Sequence, residues 1–127
     1  MPKSTYLDNN MLASALTNTP FTPPVTVYCA LYTVIPTISG GGTEVSGFSY
    51  ARQTVTFAAP SAGQTSNTGT VSFPIASGSW GTVVAFAILD SLSGGNLLYF
   101  SSLSASRTVL VNDQVVFPTG QLIVTES

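Results

Sequence analysis

The stretch Thr82-Val-Val-Ala-Phe-Ala-Ile-Leu89 decides the fold. Every residue after Thr82 is apolar, so neither face of the segment tolerates water, and its length is that of a strand rather than a helix. A strand apolar on both faces is covered on both, here by an opposing sheet and by the chain's single helix. Similar short segments flank it. Val25 to Thr33 alternates Val25, Val27, Cys29 and Leu31 against Thr26, Tyr28, Ala30 and Tyr32. That pattern makes a central strand with an aliphatic face and an aromatic or polar one. Arg52 to Ala58, Thr70 to Ile75, Leu97 to Leu103, Arg107 to Val111, Val115 to Phe117 and Gln121 to Thr125 complete the set. Val71, Phe73 and Ile75 share one side of their strand. Pro74 has no N–H for a ladder and marks that strand as an edge or as ending there.

Turn residues separate these strands. Gly40-Gly41-Gly42 closes a loop that begins at Pro36, and Ser77-Gly-Ser-Trp-Gly81 is a turn carrying the only tryptophan. Pro60 to Gly69 is the most polar stretch and reads as an exposed loop. Asp90 to Asn96 is a hairpin connection, and Asn112-Asp113 marks a turn. Near the N-terminus, Ser4 or Thr5 caps a helix from Tyr6 to Thr17, with Leu7, Met11, Ala15 and Leu16 on one face and Asp8 placed for a capping box. The prolines from Pro20 to Pro24 then hold the chain extended. A helix this short needs a surface to dock on, its own sheet or a neighbouring subunit. The 127 residues suit one domain. The predicted organisation is an arm over residues 1–24 and a single β-sandwich over residues 25–127. Its class is all-β, with about eight strands in two sheets, and jelly-roll and Ig-like topologies both fit.

Composition removes most chemistry. Three residues are basic, five are acidic, the net charge is −2 and histidine is absent. With Lys3, Arg52 and Arg107 as its cations, the chain has no electrostatic footprint for nucleic acid or for an anionic membrane. The lack of His and the single Cys29 exclude His-dependent triads, Cys/His zinc sites and intrachain disulfides. Cys29 sits in an apolar stretch without a nearby cation, the setting of a buried, inert thiol. Asp8, Glu44, Asp90, Asp113 and Glu126 are scattered, mostly in turns, so an acid–base pair of the glycosidase kind is not expected. The glycine run lacks the lysine of a phosphate loop. A lone cysteine fits synthesis in a reducing cytoplasm, and the longest apolar run, Val83 to Leu89, falls far short of a membrane span. A soluble, non-enzymatic chain is expected, without leader segment, cofactor, metal site or catalytic residues.

Contact surface is what remains. A face of hydroxyls and amides with few Lys or Glu loses little side-chain entropy and little charge hydration when buried against a neighbour. The candidate interface residues are Tyr6, Leu7, Met11 and Phe21 of the arm, with Tyr50, Arg52, Trp80 and Arg107 of the sandwich. Trp80 either packs across the open end of the sandwich, the preferred reading, or presents a rigid contact to a partner. Inside an assembly, Arg52 and Arg107 are the cations expected to pair with Glu44 or Asp90.

The order of segments resembles a family of small tailed-bacteriophage virion proteins. The matching stretches include Tyr6-Leu-Asp-Asn-Asn-Met-Leu12, Phe21 to Thr33, Gly41 to Gly47 and Tyr50-Ala-Arg-Gln-Thr-Val-Thr-Phe57. They continue with Val71-Ser-Phe-Pro74, Ser77-Gly-Ser-Trp-Gly-Thr82, Ala87 to Asp90 and Gly94 to Leu98. Tyr50-Ala-Arg-Gln53 and Ser79-Trp-Gly-Thr82 are the most specific. Members are commonly labelled tail fibre proteins, so the resemblance implies a structural protein of the virion, made in the host cytoplasm. A compact sandwich without repeats is badly shaped for a fibre shaft. It fits better as a capsid decoration or cement protein that bridges neighbouring major capsid proteins on the capsid exterior and stabilises the mature lattice by mass action. A homo-oligomer is expected, with a trimer favoured, its contacts made by the arm or by the loops at Gly40 and Ser61. The alternative is a tail-tip or tail-fibre-associated protein of host attachment, with Trp80, Tyr50 and nearby loops holding a receptor or glycan.

Overall fold

A computed structural model describes residues 3–125. Its elements in chain order are α1 (Thr5–Leu16), β1 (Val27–Val34), β2 (Thr43–Glu44), β3 (Gln53–Val55), β4 (Gln64–Ser66), β5 (Val71–Ser72), β6 (Gly81–Leu89), β7 (Leu97–Val109), β8 (Val116–Phe117) and β9 (Ile123–Thr125). As its apolar run requires, β6 lies inside a five-stranded sheet, antiparallel to β1 on one side and to β7 on the other. The far edge of β1 is divided between β2, which pairs Glu44 with Tyr32, and β3, which pairs Val55 with Val27 and Gln53 with Cys29. Two small ribbons, β4–β9 and β5–β8, supply the opposing layer of a sandwich-like all-β fold.

Alternation along β1 and β6 sends large residues to one face and small ones to the other. Cys29, Leu31, Phe86 and Ile88 join Val71, Phe73, Val115 and Leu122 of the ribbons and their flanks in the main core. On the reverse face lie Ala30, Ala85 and Ala87, all fully buried, with Tyr32, Leu89 and Phe100. The sequence leads to the expectation that the helix covers the second face of β6; instead the helix packs chiefly on the main core. Its one buried residue, Leu7, enters the main core.

Ser4 caps the helix. Its Oγ accepts the Leu7 N–H at 3.2 Å and donates to the Leu97 carbonyl, while its own N–H donates to the Leu98 carbonyl at 2.9 Å. The start of the arm is thereby pinned to β7. Asp8 pairs with Lys3 at 3.3 Å rather than closing a capping box. Of the expected helical stripe, Leu7 is buried, Met11 packs partly on the core, and Leu16 stands 76% exposed.

Four other segments differ from expectation for identifiable reasons. β4 lies in the stretch expected to be loop, because Gln64, Thr65 and Ser66 pair with β9 through backbone alone and carry no apolar signal. Leu97 to Val109 is one strand, yet its pairing jumps from Ser102 opposite Ala85 to Arg107 opposite Val83, leaving Leu103 to Ser106 against Val84. The break expected after Leu103 is therefore a bulge within a strand. Ile75 is exposed although Val71 and Phe73 are buried, because the strand has ended before Pro74. Val25 is fully exposed, and its strand begins only at Val27.

Cys29 has no exposed surface, and burial raises its thiol pKa. A thiol-specific chromogenic reagent should leave the native chain unmodified and label it stoichiometrically in denaturant. Rapid labelling of the native protein would contradict this placement of β1.

Candidate functional site

The divided edge of β1 gathers two of the sequence-selected residues, Tyr50 and Arg52, and meets a third, Trp80, through the Tyr50 ring. At Leu31, between β2 and β3, no strand continues the ladder. The Leu31 carbonyl accepts the Val45 N–H at 2.9 Å, and the Leu31 N–H donates to the Tyr50 hydroxyl at 3.1 Å. Tyr50 in turn donates to Glu44 Oε2 at 2.6 Å. Arg52 grips the same carboxylate at two points, Nε to Oε2 at 2.8 Å and Nη2 to Oε1 at 2.9 Å. Its Nη1 donates to the carbonyls of Ser91 at 2.7 Å and Gly94 at 2.9 Å. One carboxylate thus ties the edge of β1 to the loop before β3 and, through Arg52, to the β6–β7 hairpin. Asp90 preshapes that hairpin by accepting the Asn96 N–H at 2.6 Å and its side-chain amide at 3.0 Å.

Ionisation follows from these contacts. Burial alone would push the Glu44 carboxyl up, but the hydrogen bonds from Arg52 and Tyr50 and the guanidinium charge hold it below its ordinary range. The bond to Glu44 raises Arg52. Tyr50 is pushed up by burial and then by donating to Glu44.

An aromatic series lies behind this network. Trp80 meets Tyr50 edge-on at 5.4 Å, Tyr50 stacks on Phe73 at 6.1 Å, and Phe117 continues the contact from Phe73 to Phe86. The Trp80 indole N–H donates to the Phe48 carbonyl at 2.9 Å. That bond anchors a turn in which Gly47, Phe48 and Ser49 all have positive φ, a conformation L side chains adopt at a cost. The Phe48 ring lies over Gly78, where a Cβ would come within 2.4 Å of it. The Tyr50-Ala-Arg-Gln53 and Ser79-Trp-Gly-Thr82 segments therefore pack on one another, and Trp80, 5% exposed, holds the core-edge position.

Among the expected contact residues, Leu7 and Trp80 are buried in the chain's own core, and Met11, Phe21 and Tyr50 pack partly against it. Arg52 is engaged as above, while Tyr6 and Arg107 are exposed. Sequence reasoning did not select Phe48, Ile75, Leu110 and Val111, all more than half exposed. They sit on three loops laced by Ser77 N–H to Phe48 O at 3.1 Å, Asn112 N–H to Ala76 O at 2.7 Å and Ala76 N–H to Asp113 O at 2.9 Å. The signal was present, since Phe48 follows Gly47, Ile75 follows Pro74, and the pair Leu110-Val111 leads into Asn112-Asp113. Each carboxylate among the described residues has a structural partner: Asp8 with Lys3, Glu44 with Arg52, Asp90 with Asn96, and Asp113 with the Leu110 N–H at 2.8 Å. Glu126 lies outside the described residues.

Because the folded pKa of Glu44 is depressed, its contribution to stability is present above the unfolded carboxylate value of 4.5 and is lost as pH falls through the lower folded value. Thermal unfolding midpoints measured from about pH 5 to about pH 3 should fall in the wild type and fall less steeply in Glu44→Gln. Parallel curves would contradict this assignment.

No curated protein matches the chain. A family model described as podophage GP4 fiber I protein gp80 matches residues 2–125, a span that holds the arm, the sheet and both interlocked motif segments. The phage virion resemblance read from those segments is thereby borne out, and the chain belongs to the family of the podophage GP4 fiber I protein gp80.

Proposed function

We propose that the chain is a non-enzymatic building unit of the virion's fibre apparatus, serving as a compact joint or end-piece rather than as a shaft. The observation that carries this reading is the family match, whose description names a fibre protein and whose span covers both layers of the sandwich. The geometry supports a building unit. The charged side chains Glu44 and Arg52 are turned inward to brace loops, and exposed apolar groups are left on the arm at Leu12 and Leu16 and on the loops at Phe48, Ile75, Leu110 and Val111. Such a surface favours association with further copies of the chain and with other virion proteins. Capsid decoration shares the same structural role and rests on compact shape, whereas the family description leans toward the fibre.

Location and copy number separate the two. Gold-labelled antibody fragments on purified virions should mark the fibres, and quantitative densitometry should give on the order of tens of copies per particle, as expected for rings and fibres of low symmetry. Label spread over the capsid, with copies on the order of hundreds, would contradict the fibre reading and favour decoration.

A further inference from the structure

A cleft of about 520 Å³ opens where the loop of residues 38–41, the start of the arm and hairpin residues 94–97 come together above Tyr32, Arg52 and Leu89. Its size is that of a small-molecule site. Tyr32 lines it while only 7% exposed, and the Tyr32 hydroxyl makes no hydrogen bond among the described residues. Among the described residues no sealed polar side-chain atom lacks a partner, so this hydroxyl keeps exposed surface rather than being entombed. Burial, followed by the nearby Glu44 charge, raises its pKa and keeps it a neutral donor and acceptor.

The remaining lining sets the ligand's chemistry. Four of the five Arg52 N–H groups are engaged, and its charge is matched by Glu44, so the floor offers a donor without a net charge to attract an anion. Asn96 uses its amide nitrogen on Asp90 and keeps its oxygen. Tyr6, 38% exposed, adds an aromatic plate. A Cβ at Gly40, Gly41 or Gly94 would meet nothing within 4 Å, so the rim leaves room for a bulky ring.

We propose that this cleft binds a neutral saccharide ring, with its hydroxyls on Tyr32, Arg52 and Asn96 and its apolar face on Tyr6. Uncharged donors and acceptors beside an aromatic surface suit a polyhydroxylated ring, whereas a phosphate-bearing ligand would face an arginine already neutralised. The inference is independent of whether the chain sits on fibre or capsid.

The test is a backbone-amide NMR titration of the full chain with glucose, galactose, N-acetylglucosamine and rhamnose, and with glucuronate as a charged comparator. At least one neutral sugar at millimolar concentration should shift the amides of Ser39, Gly40, Gly41, Gly94, Gly95 and Asn96 saturably. Tyr32→Phe should weaken that binding about tenfold, the value of one hydrogen bond, without moving the thermal midpoint. Tyr6→Ala, at an exposed position, should weaken it as well. No saturable shift with any neutral sugar, binding indifferent to both substitutions, or tighter binding of glucuronate would each overturn the proposal.

Discussion

Between β2 and β3 the edge of β1 has no neighbouring strand at Leu31, and a buried N–H left there without an acceptor would cost about 1–3 kcal/mol. The fold answers with a tyrosine hydroxyl. Because Tyr50 accepts from Leu31, its own proton needs a destination, which is Glu44, and the half-buried carboxylate then requires a cation, which is Arg52. The guanidinium's remaining donors fix the β6–β7 hairpin. Each group is there because the previous one would be costly alone. A chain with three basic residues commits one of them to this interior task.

The same tyrosine joins the polar chain to the aromatic one. Its ring lies between Phe73 and Trp80, so the loop it belongs to is clamped from the core side by stacking and from the outer side by the Trp80 bond to Phe48. This explains how three successive residues with positive φ persist. It also explains why the Tyr-Ala-Arg-Gln and Ser-Trp-Gly-Thr segments are the distinctive parts of the chain. They act as two halves of one clasp.

What the sequence disclosed follows from where apolar residues dominate. The run in β6 and the alternation in β1 are written in side chains, so the central sheet could be read; Arg52 and Glu44 were matched by charge, but as a contact inside an assembly, whereas they pair within the chain. Gln64 to Ser66 form a strand on backbone bonds alone, which no side-chain pattern reports. The bulge at Leu103 to Ser106 looks like a loop because Ser-Ala-Ser lacks periodicity, although the strand runs through it. Tyr50, Arg52 and Trp80 stood out as contact residues because they are large and rare, the same qualities that suit them to brace a small core. The Tyr32 cleft was not legible, since it depends on the loop of residues 38–41 folding back to meet the arm, where the Thr5 N–H donates to the Ile38 carbonyl at 2.7 Å.

The central claim is that Tyr50 and Arg52 act through a single carboxylate. A double-mutant cycle of Tyr50→Phe and Arg52→Met, read by denaturant unfolding, tests it directly. Both side chains donate to Glu44 Oε2, so their effects should be coupled by about 1 kcal/mol or more. Effects that add to within about 0.3–0.5 kcal/mol would show two independent contacts and contradict the account.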